Sequence, residues 1–312
     1  MTCLFMKVNN YLVFIFMRVP HSLMDALVKY LKWFSEHPGI SKDALSDILR
    51  LEHNEVLPSG NKLPSSFADA MKLAEPFLIQ PILFHVCPND CILFRNEYAN
   101  LNICSMCGAS CYTKWDIPAR RFTYLTIGPR LVRLFGTKNL AEIIQCHGLH
   151  QSSRKTHLYD IHDSSAWKLA YSTTGQFASE FRSISFAFNT DGFNPYSQNR
   201  VSYSMWPIIL AVLSFLRKIR YSYGNFWLVG TIPGNGSKEP HSVDPYLNVL
   251  VDELLEISNN KVVFDSYQNA PFNLKVGILL YILDYKGVGK VFNLMGPNAY
   301  QVCAWCDLEG KM

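Results

Sequence analysis

The stretch Ile184-Ser185-Phe186-Ala187-Phe188-Asn189-Thr190-Asp191-Gly192-Phe193-Asn194-Pro195 marks a change of texture in the chain. Its first six residues form a short apolar, aromatic-rich run, which predicts a strand over Ile184–Asn189. Asp191-Gly192 ends the strand, and Asn194-Pro195 marks a turn beyond it. Two more strands are expected, over residues 205–215 and over Phe226–Ile232, the second stopped by Pro233-Gly234-Asn235-Gly236. Ser242 then caps a helix with Pro245 in its first turn, and Leu247, Leu250, Val251 and Leu254 give that helix one apolar face for the sheet. Residues 276–283 are an apolar run closed by Asp284, of a length that suits a buried strand as well as a short helix. Strands, a helix and a further strand in this order make an α/β unit.

Upstream the pattern is different. From 22 to 76 it is helical: Ser22 caps a helix through Leu27, Val28, Leu31 and Trp33, and Ser41 with Asp43 opens another through Leu45, Ile48 and Leu49. After a Pro/Gly break at 58–61, Ser65 starts a third through Met71 and Leu73. These textures divide the chain into an N-terminal helical region (1–80), a cysteine-rich module (81–118), a basic mixed connecting segment (119–183) and the α/β unit (184–312).

Nine cysteines in 312 residues do not make a disulfide scaffold here, because the count is odd and most lie in close pairs. Cys87 and Cys91 are followed, after twelve intervening residues, by Cys104-Ser105-Met106-Cys107-Gly108. Four thiolates brought together by two tight turns make a closed tetrahedral site for structural Zn²⁺, and the glycine eases the backbone after the second pair. The other reading is four buried free cysteines. Cys303-Ala304-Trp305-Cys306 reads as half of another such site with no partner pair downstream, the other reading being a redox dithiol, which the absence of a thioredoxin-like βαβ context disfavours. Cys3, Cys111 and Cys146 are read as ordinary thiols.

Hydrophobic residues make up 49% of the chain and charged residues 17%, a balance that excludes a disordered polyelectrolyte. A net charge of +4 does not by itself call for a polyanionic partner, so the distribution matters. Arg120, Arg121, Arg130 and Arg133 fall in an acid-free run and alternate with Phe122, Tyr124, Leu131 and Phe135. That pattern serves DNA phosphates with stacking surfaces nearby, or equally a solvated face backed by core. His147 and His150 share a helical spacing and are assigned no role. The apolar run at 11–17 has no small-residue cleavage site after it and is too short for a bilayer, so neither a signal peptide nor a membrane association is expected.

Asp191 and Asp284 are the catalytic candidates. If their strands lie side by side and parallel, both carboxylates emerge at the same strand ends, where they suit Mg²⁺ or Mn²⁺. Asp191-Gly192 is also an ordinary turn dipeptide.

Several of these stretches together resemble the transposase of CACTA (En/Spm) DNA transposons. They are the run from Cys87-Pro88-Asn89-Asp90-Cys91 to Arg95, the pair at Cys104 and Cys107, Asp163-Ser164-Ser165-Ala166-Trp167-Lys168, Asp191-Gly192-Phe193-Asn194-Pro195, Tyr203-Ser204-Met205-Trp206-Pro207, the helix at 244–255, and Cys303-Ala304-Trp305-Cys306. The resemblance covers about residues 45–306, most of the chain. It implies an RNase H-like mixed sheet, incomplete here, preceded by a small four-cysteine, zinc-ribbon-like module and a helical region. It also implies a nuclear, DNA-binding, homo-oligomeric enzyme that cuts element ends and joins them to target DNA. Asp191 would be the first metal-binding acid and Asp284 the second, with Cys303 and Cys306 in an insertion before the third. The third acid would lie past Met312, so the chain alone is expected to be inactive. Glu253, Glu256 and Glu309 are not expected to replace it. The alternatives are a zinc-containing module that binds DNA or protein without catalysis, and a decayed remnant.

Overall fold

The computed structural model describes residues 3–8, 11–16, 23–149, 158–178, 180–196, 203–234, 239–295 and 306. It opens with an antiparallel hairpin, β1 (Cys3–Val8) and β2 (Tyr11–Phe16), so the apolar run near the N-terminus is a strand. Helices α1 (Leu23–Glu36), α2 (Lys42–Leu51) and α3 (Phe67–Ala74) follow. Ser41 caps α2 as expected, its hydroxyl accepting from the Ala44 amide at 3.1 Å. The cap of α3 is Ser66 rather than Ser65, because Ser66 accepts from the Asp69 amide and donates to the Asp69 carboxylate at 2.6 Å. Leu27, Leu31, Leu45, Leu49 and Ala70 close a core belonging to these helices.

The main sheet has six strands: β3 (Ile82–Val86), β4 (Arg120–Tyr124), β5 (Ile184–Asn189), β6 (Trp206–Val212), β7 (Phe226–Ile232) and β10 (Val276–Ile282). Their order across the sheet is β10-β5-β6-β7-β4-β3. All neighbours are antiparallel except β10 and β5. A second hairpin, β8 (Val262–Asp265) with β9 (Ala270–Asn273), leads into β10.

Helices α4 (Gly128–Gly136), α5 (Lys138–Gln145) and α8 (Asp244–Asn260) share one core with Phe186, Phe188, Leu210 and Val212. Ala187, Ala211 and Leu213 instead join Trp167 of α6 (Ser165–Ala170) in a separate cluster, as the alternation of a strand requires. Burial on both faces explains why β5 reads as a nearly continuous apolar run. Two short helices remain, α7 (Arg217–Arg220) after β6 and α9 (Tyr285–Val291) after β10.

The structure alters two expectations about α8. Its N-cap is Val243, and Ser242 assists from one residue earlier by accepting the Asp244 amide at 3.2 Å. The buried face is Tyr246, Val249, Leu250, Leu254 and Ile257, whereas Val251 is exposed. The face is turned because Tyr246 and Glu253 also point inward, each to a hydrogen-bond partner.

The sequence divisions at 118/119 and 183/184 do not separate packing units. Strands β3, β4 and β5 come from three different segments and lie in one sheet, and Val86, Phe122 and Phe186 share one core.

Candidate functional site

Strands β3, β5, β7 and β10 all run in one direction, and β4 and β6 return between them. The C-terminal ends of four strands therefore share one rim of the sheet. On it stand Asp191 after β5, the segment 239–243 after β7, Asp284 after β10, and Cys87 after β3.

The ladder between β5 and β10 ends with Asn189 opposite Ile282. Asp191 and Asp284 each follow that last pair by two residues, so both stand just beyond the C-terminal ends of neighbouring parallel strands, and both act on the charge of Lys286. Asp191 does not sit in a turn. It lies on an arm of the β5–β6 hairpin between the Asn189–Ile209 pair and an antiparallel bridge from Phe193 to Met205, with amide–carbonyl distances of 3.0 and 2.9 Å. Gly192 lets that arm cross the Trp206 indole, since a Cβ there would stand 2.6 Å from Trp206 Nε1. Asp284 is the N-cap of α9, and its Oδ1 accepts from the Gly287 amide at 2.6 Å. Both aspartates are exposed to solvent.

Two residues that sequence reasoning missed stand with them. Lys286 forms an ion pair with Glu239. The Glu239 hydrogen bond, followed by the charges of Glu239, Asp284 and Asp191, holds the lysine above its ordinary value. One ammonium thus senses three carboxylates. Neither residue belongs to a pattern that spacing could reveal.

The Sγ atoms of Cys87, Cys91, Cys104 and Cys107 all lie within 4.8 Å of one another, and Cys87 and Cys107 are 3.5 Å apart. Tetrahedral zinc with bonds of about 2.3 Å needs sulfurs about 3.8 Å apart, so the set fits a structural zinc ion. The turns form as expected: the Asp90 amide donates to the Cys87 carbonyl and the Gly108 amide to that of Cys104, each at 2.9 Å. Gly108 takes the left-handed conformation, with φ of 70°, and Asp90 does so too at 58°. Burial pushes the Cys87 and Cys91 thiols up. The Ala109 amide and the Asn89 side chain pull Cys107 down to about 6. Cys111 is a buried thiol outside the cluster, and Cys146 donates to the Glu142 carbonyl. Of the second Cys pair, Cys306 is exposed and Cys303 lies outside the described residues.

The four arginines part company. Arg120 is largely buried, binding Asp90 and the Pro233 carbonyl. Arg130 is 1% exposed, donates to the Leu228 carbonyl at 2.6 Å, and is pulled down to about 9 by burial. These two guanidinium groups are committed inside the molecule. Arg121 is exposed. Arg133 is half-buried, with a buried Nη1 that lacks a hydrogen-bond partner.

Glu253 is committed as well. Its carboxylate accepts from the Tyr124 hydroxyl at 2.6 Å and from the Ile127 and Gly128 amides at 2.9 Å, closing the start of α4. Glu256 is exposed, and Glu309 lies outside the described residues. His147 and His162 are packed against Trp167, while His150 lies outside the described residues. Among the described residues no helix is long and apolar enough to cross a membrane.

The family model described as Transposase family tnp2 matches residues 156–312, just over half of the chain, and the chain belongs to that family. The matched part holds Asp191, Glu239, Asp284 and Lys286, and the cysteine cluster precedes it. Comparison with curated proteins gives no match.

Proposed function

We propose that this chain is part of the transposase of a CACTA (En/Spm) element, which with its full set of acids carries out metal-dependent DNA cleavage and strand transfer in the nucleus as a homo-oligomer. The observation that carries the reading is that Asp191 and Asp284 follow the C-terminal ends of two adjacent parallel strands, β5 and β10. Strand order supports an RNase H-like scaffold: β5, β6 and β7 are antiparallel neighbours, α8 follows, and β10 joins beside β5.

Two carboxylates one strand apart suit the hard oxygen ligation of Mg²⁺ or Mn²⁺. Such ions, when bound, activate a water or a 3′-hydroxyl and stabilise the leaving oxygen. The protein's own part is positioning. The bridge from Phe193 to Met205 steadies the arm that carries Asp191, and the cap bond to Gly287 steadies Asp284. Arg121 and Arg133 are the basic residues of the four left to meet phosphate. Two acids are an incomplete set for this chemistry, and the resemblance to the family calls for a third. Glu253 does not supply it, because its oxygens are already bound.

The test uses a C-terminally extended protein that carries the third acid. With Mn²⁺ it is expected to nick element-end DNA, and Asp191→Ala or Asp284→Ala should lower the rate by about a thousandfold or more. Undiminished nicking by Asp191→Ala would remove that residue from the mechanism.

A further inference from the structure

Asp90 lies in the first turn of the cysteine cluster, offers no ligand to it, and is 2% exposed. Its carboxylate reaches away from the sulfurs. Oδ1 accepts from the Arg120 guanidinium and the Tyr246 hydroxyl, and Oδ2 accepts from the His241 amide at 2.9 Å. Arg120 also donates to the carbonyls of Pro88 and Pro233. One buried carboxylate therefore joins the cysteine turn to β4, to the loop leaving β7, and to the segment that enters α8.

That segment is held from its other side by α9. Lys290 Nζ donates to the Pro240 carbonyl at 2.7 Å, Lys286 pairs with Glu239, and Asn293 donates to Asp244 at 2.9 Å. The first cap of α9 is Asp284 itself. A cleft of about 560 Å³ between the two sides is lined by Asn89, Cys91, Cys107, His241 and Lys290.

We propose that Asp90 is a positioning residue, which ties the cysteine cluster through segment 239–246 to α9 and so to the placement of Asp284. A buried carboxylate with three donors from separate elements is satisfied only while all of them keep their places. Loss of the cluster frees the turn that carries Asp90, and the segment loses the partner that fixes one of its sides. The catalytic meaning of this link rests on the function proposed above, whereas the link itself does not.

The test is hydrogen exchange on the zinc-loaded 312-residue chain, with metal content measured alongside. Asp90→Asn is expected to keep its zinc and to speed amide exchange in 239–246 and 284–294 by roughly tenfold, leaving 23–74 unchanged. Lys290→Met, which cuts the link further along, should loosen 284–294 while 87–111 stays protected. Zinc withdrawal from the unsubstituted chain should loosen 284–294 as well. Where Asp90→Asn does not fold, the last two measurements decide.

Exchange confined to 87–111 after zinc withdrawal, or an unchanged 284–294 in Lys290→Met, overturns the proposal. Mn²⁺ titration followed by electron paramagnetic resonance separates the link from mere stability. Lys290→Met should weaken binding roughly fivefold, and Leu45→Ala in the separate helical core should not. If the unsubstituted chain binds no Mn²⁺, the metal reading of the acids fails, and the exchange results still decide the link.

Discussion

A single side chain on this rim is often understood through what surrounds it. In the sequence Asp191 is half of a common turn dipeptide, whereas in the structure it lies on an extended arm beyond β5, on the rim it shares with Asp284. His162 illustrates the same dependence with a measurable outcome. Burial, opposed by the hydrogen bond to the Leu213 carbonyl and by Asp160 and helped by Arg220 and His147, pulls it down from an ordinary 6.5 to about 4. His147 is lowered too, first by burial. The unfolded chain therefore binds more protons between pH 6.5 and 4, and stability falls as pH falls through that window. The His162 contribution is on the order of 3 kcal/mol at most. Asp160 adds a later loss. Burial pushes its carboxyl up, but the Arg220 guanidinium holds it below 3.8, so that contribution disappears only under stronger acid. Urea midpoints measured at pH 7.5 and 4.5 should differ accordingly, and His162→Gln should flatten the dependence; an equal slope in both proteins would refute the assignment.

At the scale of elements, the strands β5 and β7 match the expected bounds, because each is a short apolar run bounded by turn residues. Helix α2 was equally plain from Ser41 and the spacing of Leu45 and Leu49. Its cap and its core can be weighed separately. Ser41→Ala is expected to cost about 1 kcal/mol and Leu45→Ala about 2–5 kcal/mol in denaturant unfolding, with the larger loss in the buried leucine. The buried face of α8 was misplaced, since apolar periodicity cannot see that Tyr246 and Glu253 turn inward to Asp90 and to the start of α4. Strand β4 was hidden for a different reason. Its Arg120, Arg121 and Thr123 resemble a basic surface, and the buried salt bridge that accepts Arg120 involves an aspartate thirty residues away.

For the molecule as a whole, the four segments distinguished by composition are fewer units in space, because the sheet takes strands from either side of the cysteine cluster. Which strands become neighbours is set by tertiary packing, and a period of two along each strand carries no record of it. The cluster is thus part of the main body's stability. Removal of zinc by a chelator should lower the thermal midpoint of the sheet, read by aromatic circular dichroism, and Cys107→Ser should reproduce much of that loss without a chelator. An unaltered midpoint would mean that the four sulfurs hold their turns without metal.

The parallel pairing of β5 with β10 carries a temporal meaning as well. Between β5 and β10 the chain must complete β6, β7, α8 and the β8–β9 hairpin, and the entropy of closing so long an excursion precedes any reward from the contact. A half-made or partly unfolded molecule keeps its two aspartates far apart. The order of assembly acts as an interlock, in which the two acids come to one rim only with the finished architecture.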